Sequence, residues 1–387
     1  MRDSILSKAY DISLRDLRNC TSDVGIVAGA HHFVDLWARD SLFASFGALV
    51  GGEDGAAKKT IETFLSYQRK DGLVPYRVLR SPTTIGKYFG HPTYLKKPIS
   101  NFRSHQSGGI VPDGGLMTVI ASQLYVSQTN DSAFLDAHFL HLTRAMDWYG
   151  LRFHGGLIRE WFLCEWADAV LKAGYTLYTN ILYWKALQCM SMLAKKQGDN
   201  QLSLFYTYQK EKIAGCIRNT FWNKTYFTDW VDYKKQAYLS SHANLLAIVF
   251  GFASRGERTL LLKEISNRND IGWAIETNDP SYPWWRIPLW NYCVGMGDYH
   301  NRGCIWLQPS ILYAIALDMA GRKKEAVKRL EMLAQKIIAY DGVYEVYDRS
   351  GRPLKRLLYR AEGPFAWSAG LYLVAYQSIV RGHPDIL

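Results

Sequence analysis

The fold class is decided by the stretch TLYTNILYWKALQCMSMLAKK (176–196) and its continuation QLSLFYTYQKEKIAGCIRN (201–219). In both, apolar side chains recur every three to four residues, which is the period of an α-helix. Only 197–200 separate them, so the two stretches predict a helical hairpin. The same period predicts further helices at 4–18, 35–50, 57–69, 115–128, 133–150, 242–253, 257–267, 305–320, 323–339 and 366–380.

About twelve helices in six hairpins would close a double-layered helical toroid, and this all-α (α/α)6 fold is the predicted architecture. An open array of helical hairpins has the same periodicity, but no short internal repeat supports it. No Gly/Ser-rich or Pro-rich linker divides the chain, so residues 1–387 are predicted to form a single domain. Strand patterns are short, as at 342–347, and predict a small hairpin at most.

Long segments of the chain connect some of the predicted helices: 70–113, 154–175, 222–240, 268–304 and 340–365. They contain Gly, Pro and much of the Trp and Tyr content. Connections of this length inside a compact domain usually carry function. We therefore expect these loops to gather at one end of the helical scaffold and to hold the functional site.

The composition is that of a large globular protein with many aromatic rings. The 387 residues are 48% hydrophobic and 21% charged, which excludes a disordered or collagen-like chain. The 13 Trp, 25 Tyr and 16 Phe are more than a core needs, so part of them is expected to line a ligand groove. The alternative is that large rings simply fill a large core.

Charge and targeting signals exclude several other classes of protein. The net charge of +11 is not clustered as nucleic-acid binding requires, since the basic run 322–329 alternates with Glu325 on a predicted helix face. The six cysteines form no CxxC pair that would indicate zinc or a disulfide framework. The N-terminus has no apolar signal region and no apolar run approaches 18 residues, so we expect a cytoplasmic protein with no nucleic-acid or membrane partner.

Acidic residues and tryptophans occur together at several places. In Trp37-Ala-Arg39-Asp40, an Arg and an Asp follow a Trp at a predicted helix start. Such a pair can bind vicinal hydroxyls while the ring stacks on a sugar, or it can cap the helix. Asp113 precedes a second helix after the loop 70–113, and there too an N-cap is the alternative.

A third place joins Glu165, Trp166 and Asp168 and leads into a glycine–aromatic loop. An apolar setting raises a carboxyl pKa and suits a general acid, whereas the alternative is that Asp168 only begins a helix. In the fourth place, Glu345 lies between tyrosines that can aim it at a water, and Glu362 precedes a proline as in an ordinary helix entry. Acids and rings in the same loops are what hydrolysis of a glycosidic bond requires.

At these residues the chain resembles the six-hairpin glycosidases, the helical-toroid group of glycogen-debranching amylo-α-1,6-glucosidases, glucoamylases, trehalases, processing glucosidases and neutral invertases. The segment Trp37–Leu42 is similar to their W-x-R-D-S-L segment, whose Arg and Asp bind the non-reducing-end sugar. Asp71–Pro75 and Asp113 fall where those families have a D-G-x-x-P loop and a sugar-binding Asp.

The resemblance continues through the second half of the chain. Residues 166–169 resemble the W-x-D-[SA] motif of debranching enzymes, whose Asp is the general acid. Residues 299–306 resemble the Y-H-N-G-x-x-W and Y-W-R-G-x-x-W motifs of debranching enzymes and processing glucosidases. Residues 344–348 with 365–370 are similar to the E-x-Y-D…W-[ST]-x-[AG] ending of trehalases, processing glucosidases and invertases, whose Glu is the base.

The resemblance therefore implies Asp168 as general acid and Glu345, rather than Glu362, as general base. It implies an inverting, exo-acting glycoside hydrolase that releases glucose from an α-glucoside, with water as second substrate and no cofactor. The expected partner is a small glycoside or oligosaccharide, because the chain lacks the N-terminal β-domain that many relatives carry. The predicted substrate-binding residues are Trp37, Arg39, Asp40, Asp113, Glu165, Trp166, Tyr175, Trp285, His300, Arg302, Trp306, Glu362 and Trp367.

Other functions stay open at this point. The ending of the chain also fits a neutral invertase that splits sucrose, and a phosphorolytic enzyme or a carbohydrate-binding relative without catalysis would share the scaffold. A helical scaffold that binds protein or RNA explains the periodicity and charge but not why acids and rings share loops. His31–His32, His138 and His141 have near-metal spacing without a carboxylate or Cys pattern, so they are interpreted as structural and no metal site is predicted.

Overall fold

The computed structural model describes residues 2–88, 90–154 and 156–383. Helices dominate these residues, with short strands in the connections. The α-helices are α1 (Arg2–Asn19), α2 (Ala38–Val50), α3 (Asp54–Ser66), α4 (Ile85–Tyr88), α5 (Asp113–Thr129), α6 (Ser132–Phe153), α7 (Leu177–Lys196), α8 (Asn200–Phe221), α9 (Ser241–Val249), α10 (Arg255–Asn269), α11 (Leu289–Cys293), α12 (Leu307–Met319), α13 (Lys323–Ala339) and α14 (Ala366–Ile379).

Each segment with helical periodicity is a helix in the structure, so the helix-rich fold class is confirmed. The prediction missed α4 and α11, whose 4 and 5 residues are too short to show a helical period. It also began α2 at residue 35, whereas the helix begins at Ala38 because Leu36–Trp37 form a strand.

Six of the helices contact one another in a closed cycle. Helix α2 contacts α5, α5 contacts α7, α7 contacts α9, α9 contacts α12, α12 contacts α14, and α14 contacts α2. These helices are buried on nearly every side, as their all-round apolar sequences require. The helices α1, α3, α6, α8, α10 and α13 pack against this cycle with one apolar face and expose the other.

The contact between α2 and α14 brings two glycines together. A Cβ atom on Gly47 would lie 2.2 Å from the Cα of Gly370, and one on Gly370 would lie 2.7 Å from the Cα of Ala44. Because a real Cβ cannot approach another atom so closely, glycine at both positions permits backbone-to-backbone contact between these helices.

Short antiparallel strands link the long loops to the starts of the cyclic helices. Strand β3 runs directly into α2, β7 into α7, β10 into α9 and β12 into α12. The strands are β1 (Thr21–Ser22), β2 (Gly25–Ile26), β3 (Leu36–Trp37), β4 (Arg77–Leu79), β5 (Ile99–Asn101), β6 (Arg159–Glu160), β7 (Gly174–Thr176), β8 (Trp230–Val231), β9 (Lys235–Gln236), β10 (Leu239–Ser240), β11 (Asn278–Asp279), β12 (Ile305–Trp306), β13 (Val346–Tyr347), β14 (Lys355–Arg356) and β15 (Tyr359–Arg360).

Pairing between distant loops fixes their positions. The sheets have the orders β3-β4-β5 and β6-β7-β8-β9, and the pairs β1-β2, β10-β11, β12-β13 and β14-β15. The segment 342–347, predicted as part of a small hairpin, instead pairs its β13 with the distant β12, while an isolated bridge joins Tyr347 to Pro353. Within the described ranges, no helix is both long and apolar enough to cross a membrane.

Candidate active site

A cavity of about 510 Å³ lies where α2, α12 and α14 begin. The first turns of these helices and the loops before them supply its walls, because the strands described above hold those loops against the helix starts. Nine of the predicted site residues line it: Trp37, Arg39, Asp40, Trp166, Asp168, His300, Trp306, Glu345 and Trp367.

Arg39 joins two acids at one side of the cavity. Its Nη1 donates to Oδ2 of Asp113 at 2.9 Å and its Nη2 donates to Oδ2 of Asp168 at 3.2 Å. Asp113 is the first residue of α5, is fully buried and does not line the cavity. Asp113, predicted to bind the sugar, thus holds Arg39 from behind the cavity lining.

Asp168 has the surroundings of a general acid. Burial raises the pKa of its carboxyl to about 6, an effect that Arg39 opposes and Asp113 adds to. His300 Nδ1 lies 3.8 Å from Oδ1 of Asp168 and accepts the backbone N–H of Ala169 at 3.3 Å. Burial holds the pKa of His300 well below its ordinary value, so this imidazole is neutral. A carboxyl with a raised pKa keeps its proton closer to neutral pH than an ordinary Asp.

Glu345 is held by two phenol hydroxyls. Tyr299 donates to its Oε1 and Tyr359 donates to its Oε2. Burial raises the pKa of Glu345 to about 7, while the hydrogen bonds from both tyrosines and the charge of His32 lower it and Glu362 raises it. Because the phenols stabilise the ionised form, the carboxylate is available to accept a proton.

Asp40 is a third acid in the cavity lining. Burial raises the pKa of its carboxyl to about 7, Arg39 opposes this, and the negative charges of Glu345 and Asp168 add to it. Carboxyls that repel one another through a poorly solvated cavity do not all ionise in the same pH range. The three acids therefore titrate as an interacting set near neutral pH.

Aromatic rings form much of the remaining wall. The rings of His300 and Trp306 stack at 4.7 Å between centroids, and Trp166 packs edge-on against both. Trp367 stacks on Phe43 at 5.0 Å. Flat, rigid indole faces around a polar floor suit the apolar faces of a sugar ring.

Six of the predicted binding residues lie outside the cavity lining: Asp113, described above, and Glu165, Tyr175, Trp285, Arg302 and Glu362. Glu165 is buried, and its carboxylate lies 2.6 Å from Nζ of Lys172, which also pairs with Asp229 at 2.8 Å. Tyr175 belongs to β7 in the middle of the four-stranded sheet. Trp285 is 62% exposed. Glu165 is thus part of a buried ion-pair group, Tyr175 lies within a sheet and Trp285 lies at the surface, all outside the cavity lining.

Arg302 and Glu362 also lie outside the lining. Arg302 pairs with Glu276 and Asp279 through its two terminal nitrogens. Glu362 is fully buried and accepts backbone N–H groups from residues 31–33. Since Glu345 faces the cavity and Glu362 does not, the placement agrees with the preference for Glu345 as the base.

Sequence reasoning missed the wall supplied by residues 77–106. The long segment 70–113 was expected to carry function, but the polar residues between the motif Asp71–Pro75 and Asp113 form no recognisable motif of their own. Two cationic side chains of this segment are held by Asp35, because Arg77 Nη2 and Lys87 Nζ each lie 2.5 Å from its Oδ2. The missed lining residues of this segment are Arg77, Leu79, Thr83, Thr84, Lys87, Asn101, His105 and Gln106.

Tyr299, Tyr359 and His32 were also missed as lining residues. Tyr299 stands in the motif at 299–306, which was a usable signal. The pair His31–His32 was noted but interpreted as structural, and nothing local distinguishes Tyr359. Among the His, Cys, Asp and Glu side chains in the described ranges, no group of three or more is placed to hold a metal ion.

The family model of the mannosylglycerate hydrolase MGH1-like glycoside hydrolase domain matches residues 159–368, more than half of the chain. The chain belongs to this glycoside hydrolase family. The matched range contains Asp168 and Glu345, and the resemblance to six-hairpin glycosidases is confirmed. The amylo-alpha-1,6-glucosidase family model matches residues 11–89, which contain Arg39 and Asp40.

Solved structures of glycosidases share the fold. The GH63 mannosylglycerate hydrolase from Thermus thermophilus in complex with Tris is 15% identical, with a TM-score of 0.71 over 95% of this chain and 99% of that chain. A glycosidase in complex with glucose is 13% identical, with a TM-score of 0.69 over 97% and 98%. A rhamnosidase from Klebsiella oxytoca with rhamnose bound is 15% identical, with a TM-score of 0.69 over 99% and 65%. No curated protein matches the sequence.

Proposed function

We propose that this glycoside hydrolase is an inverting, exo-acting enzyme built as one (α/α)6 toroidal domain over residues 1–387. The closed cycle of contacts among α2, α5, α7, α9, α12 and α14, with the other long helices packed against it, supports the toroid. The cavity at the helix starts, of about 510 Å³, supports a small glycoside as substrate, with water as the second reactant.

In the proposed reaction, Asp168 protonates the glycosidic oxygen while Glu345 takes a proton from the attacking water on the opposite face of the sugar. The observation that carries the proposal is that both carboxyls line one cavity in different surroundings. Asp168 lies beside a guanidinium and a neutral imidazole, and Glu345 lies between two phenols. Inversion requires the two carboxyls to be roughly 6.5–9.5 Å apart, so that the water fits.

Glu345 can still accept a proton from water although it already accepts hydrogen bonds from the hydroxyls of Tyr299 and Tyr359. Each carboxylate oxygen has two lone pairs, so Oε1, which accepts from Tyr299, retains one for the water, while Oε2 accepts from Tyr359 and from the backbone N–H of Glu362. The phenols also fix the orientation of the carboxylate, which positions the water before the bond breaks.

The terminal sugar is proposed to be glucose in α linkage. Arg39 and Asp40 offer donors and an acceptor for its hydroxyls, while Trp166, Trp306 and Trp367 cover its faces. The match of the amylo-alpha-1,6-glucosidase model to the segment that contains Arg39 and Asp40 supports this assignment.

A second candidate is the hydrolysis of a glycoside whose leaving group carries a carboxylate. Arg77 and Lys87 line the cavity and share a single carboxylate, that of Asp35, so this wall has a net positive charge. Mannosylglycerate, which the matched family model names, has such an acidic leaving group. The wall of residues 77–106 would then hold the leaving group, with the sugar against Arg39 and Asp40.

The test is hydrolysis of a panel of maltose, isomaltose, trehalose, sucrose, glucosylglycerate and mannosylglycerate by the wild type, Asp168→Asn and Glu345→Gln. We expect loss of hydrolysis in both variants and, by proton NMR, first release of the β-anomer from an α-glycoside. Glu211→Gln is the matched control, since the exposed side chain of Glu211 pairs with the neighbouring Lys210 and does not line the cavity. Full activity in either site variant, or first release of the α-anomer, would contradict the mechanism, and cleavage of sucrose alone would indicate an invertase.

A further inference from the structure

His32 and Glu362 form a pair beside Glu345 that the proposed chemistry does not yet use. His32 Nδ1 lies 2.8 Å from Oε2 of Glu362. The Glu362 side chain is completely buried, whereas the imidazole keeps 18% of its surface and lines the cavity. The pair therefore joins a fixed carboxylate inside the protein to a ring that faces the substrate space.

The carboxylate of Glu362 is held rigidly. It accepts the backbone N–H groups of His31 at 2.8 Å, His32 at 2.8 Å and Phe33 at 3.1 Å. The same loop packs tightly on it, since a Cβ on Gly29 would lie 2.3 Å from Cγ of Glu362. With its acceptor fixed in this way, the imidazole has one orientation, set by the hydrogen bond at Nδ1.

The pair is also connected to Glu345. The backbone N–H of Glu345 donates to the carbonyl of Glu362 at 2.9 Å, and the backbone N–H of Glu362 lies 3.4 Å from Oε2 of Glu345. The His32 ring lies 6.3 Å from the ring of Tyr359, whose hydroxyl binds Glu345. The histidine, its carboxylate and the proposed base thus form one contiguous group.

Resting on the proposed function, in which Glu345 is the general base, we propose that His32 is a positioning residue that Glu362 keeps protonated, so that a positive charge stands beside the base carboxylate. The charge favours ionised Glu345 and so increases the fraction of enzyme that is ready to accept a proton from water. The role of Glu362 is then to maintain the histidine charge, and it takes no direct part in the reaction.

The surrounding charges agree with this arrangement. Burial opposes protonation of His32, but Glu362 and, to a smaller extent, Glu345 raise its pKa above the ordinary value, while Lys87 acts against them. Glu345 also interacts with phenols, a thiol and carboxyls, among them Tyr299, Tyr359, Cys304, Asp40 and Glu362. His32 supplies a positive charge beside these groups.

The first test is the pH profile of kcat/KM for His32→Gln. Without the imidazolium, the negative charge of Glu362 is uncompensated and the pKa of Glu345 rises. We expect about a tenfold loss of kcat/KM at pH 5–6 that disappears above pH 8, with the optimum about half a pH unit higher, since only one of the two pKa values of the bell-shaped profile changes. His31→Gln is the matched control, because the His31 ring is exposed and contributes only its backbone N–H to the pair. A loss equal at every pH would overturn the proposal.

The second test is rescue. Adding Glu362→Gln to His32→Gln removes the uncompensated negative charge, so the optimum should return toward that of the wild type, which a packing role for His32 does not predict. The proton NMR signal of the His32 ring, assigned by its loss in His32→Gln, gives a readout without activity. A ring that titrates above pH 6.5 supports the proposal, and one that stays neutral from pH 5 to 8 overturns it. A wild type that hydrolyses no glycoside overturns the proposed function instead.

Discussion

Arg39 and Asp113 form an ion pair between the first turns of α2 and α5, with Nη1 of the arginine 2.9 Å from Oδ2 of the aspartate. Arg39 lines the cavity and Asp113 lies behind it. The same guanidinium reaches Asp168, so the negative charge of Asp113 decides how strongly Arg39 favours ionisation of the proposed acid. We therefore predict that Asp113, although it lies outside the cavity lining, influences proton transfer at Asp168.

Asp113→Asn is expected to lower the pKa of Asp168. The substitution removes the negative charge that raises this pKa and leaves Arg39 uncompensated beside the acid. The proposed acid would then lose its proton at lower pH, so kcat/KM should fall severalfold above pH 7, stay near wild type at pH 5, and reach its optimum at lower pH. Pre-steady-state or steady-state pH profiles measure this directly. Asp318→Asn is the control, since Asp318 lies at the end of α12 and pairs with exposed Lys323.

The wild type is expected to show a bell-shaped dependence of kcat/KM on pH with its optimum between 6 and 7. The reaction needs protonated Asp168 and ionised Glu345, and burial raises the pKa of the first to about 6 and of the second to about 7. Below this range Glu345 is protonated and above it Asp168 is ionised, so activity falls on both sides. The two apparent values belong to the interacting pair. A flat profile from pH 4 to 9 would contradict the assignment.

Tyr299→Phe and Tyr359→Phe should each weaken the proposed base at low pH. Each removes one hydrogen bond to the Glu345 carboxylate, and a hydrogen bond to a charged group contributes about 1.5–3 kcal/mol. The pKa of Glu345 then rises, and we expect about a tenfold to hundredfold loss of kcat/KM below pH 6 with a smaller loss above pH 8. Tyr233→Phe, on a side chain that is 81% exposed, serves as control.

The helices were predictable because their signal is local. A 3.6-residue period is visible in a helix that buries one face, such as α13, and a long apolar run marks a helix that is buried on all sides, such as α9. The motifs that resemble six-hairpin glycosidases also placed Asp168 and Glu345 in loops that meet at one cavity. Their chemical roles remain predictions that the variants above test.

The placements that the sequence did not predict concern relationships between distant segments. Glu362 was given a binding role, but its partners are residues 31–33 at the other end of the chain. Trp285 was placed in the sugar wall, although its ring is exposed outside the cavity. Tyr359 reaches Glu345 from the β14–β15 pair, whose position no local pattern encodes. The sequence shows that acidic and aromatic residues are present in the loops. Which of their side chains face the cavity depends on how the loops pack.

Lys87→Gln separates the two proposed substrate classes. If the leaving group carries a carboxylate, the substitution removes a charge-assisted contact, so KM for glucosylglycerate or mannosylglycerate should rise about tenfold or more. Asp35 retains Arg77 and the backbone N–H groups of Arg80 and Ser81, which limits the structural damage. KM for a neutral α-glucoside should change little and serves as the internal control. Equal changes for both substrates would exclude a carboxylate contact at Lys87.

Gly47→Ala is expected to destabilise the protein through the contact between α2 and α14. The new Cβ would lie 2.2 Å from the Cα of Gly370, and the two backbones must separate to admit it. Overpacking of this kind lowers the free energy of unfolding by about 1–3 kcal/mol, which thermal unfolding followed by circular dichroism detects as a lower Tm.

Gly55→Ala is the matched control, because Gly55 also lies in a helix, α3, but a Cβ there meets nothing within 4 Å. Alanine favours a helix over glycine by about 1 kcal/mol, so Gly55→Ala should leave Tm unchanged or raise it. An unchanged Tm in Gly47→Ala would mean that this helix contact is looser than the two glycines indicate.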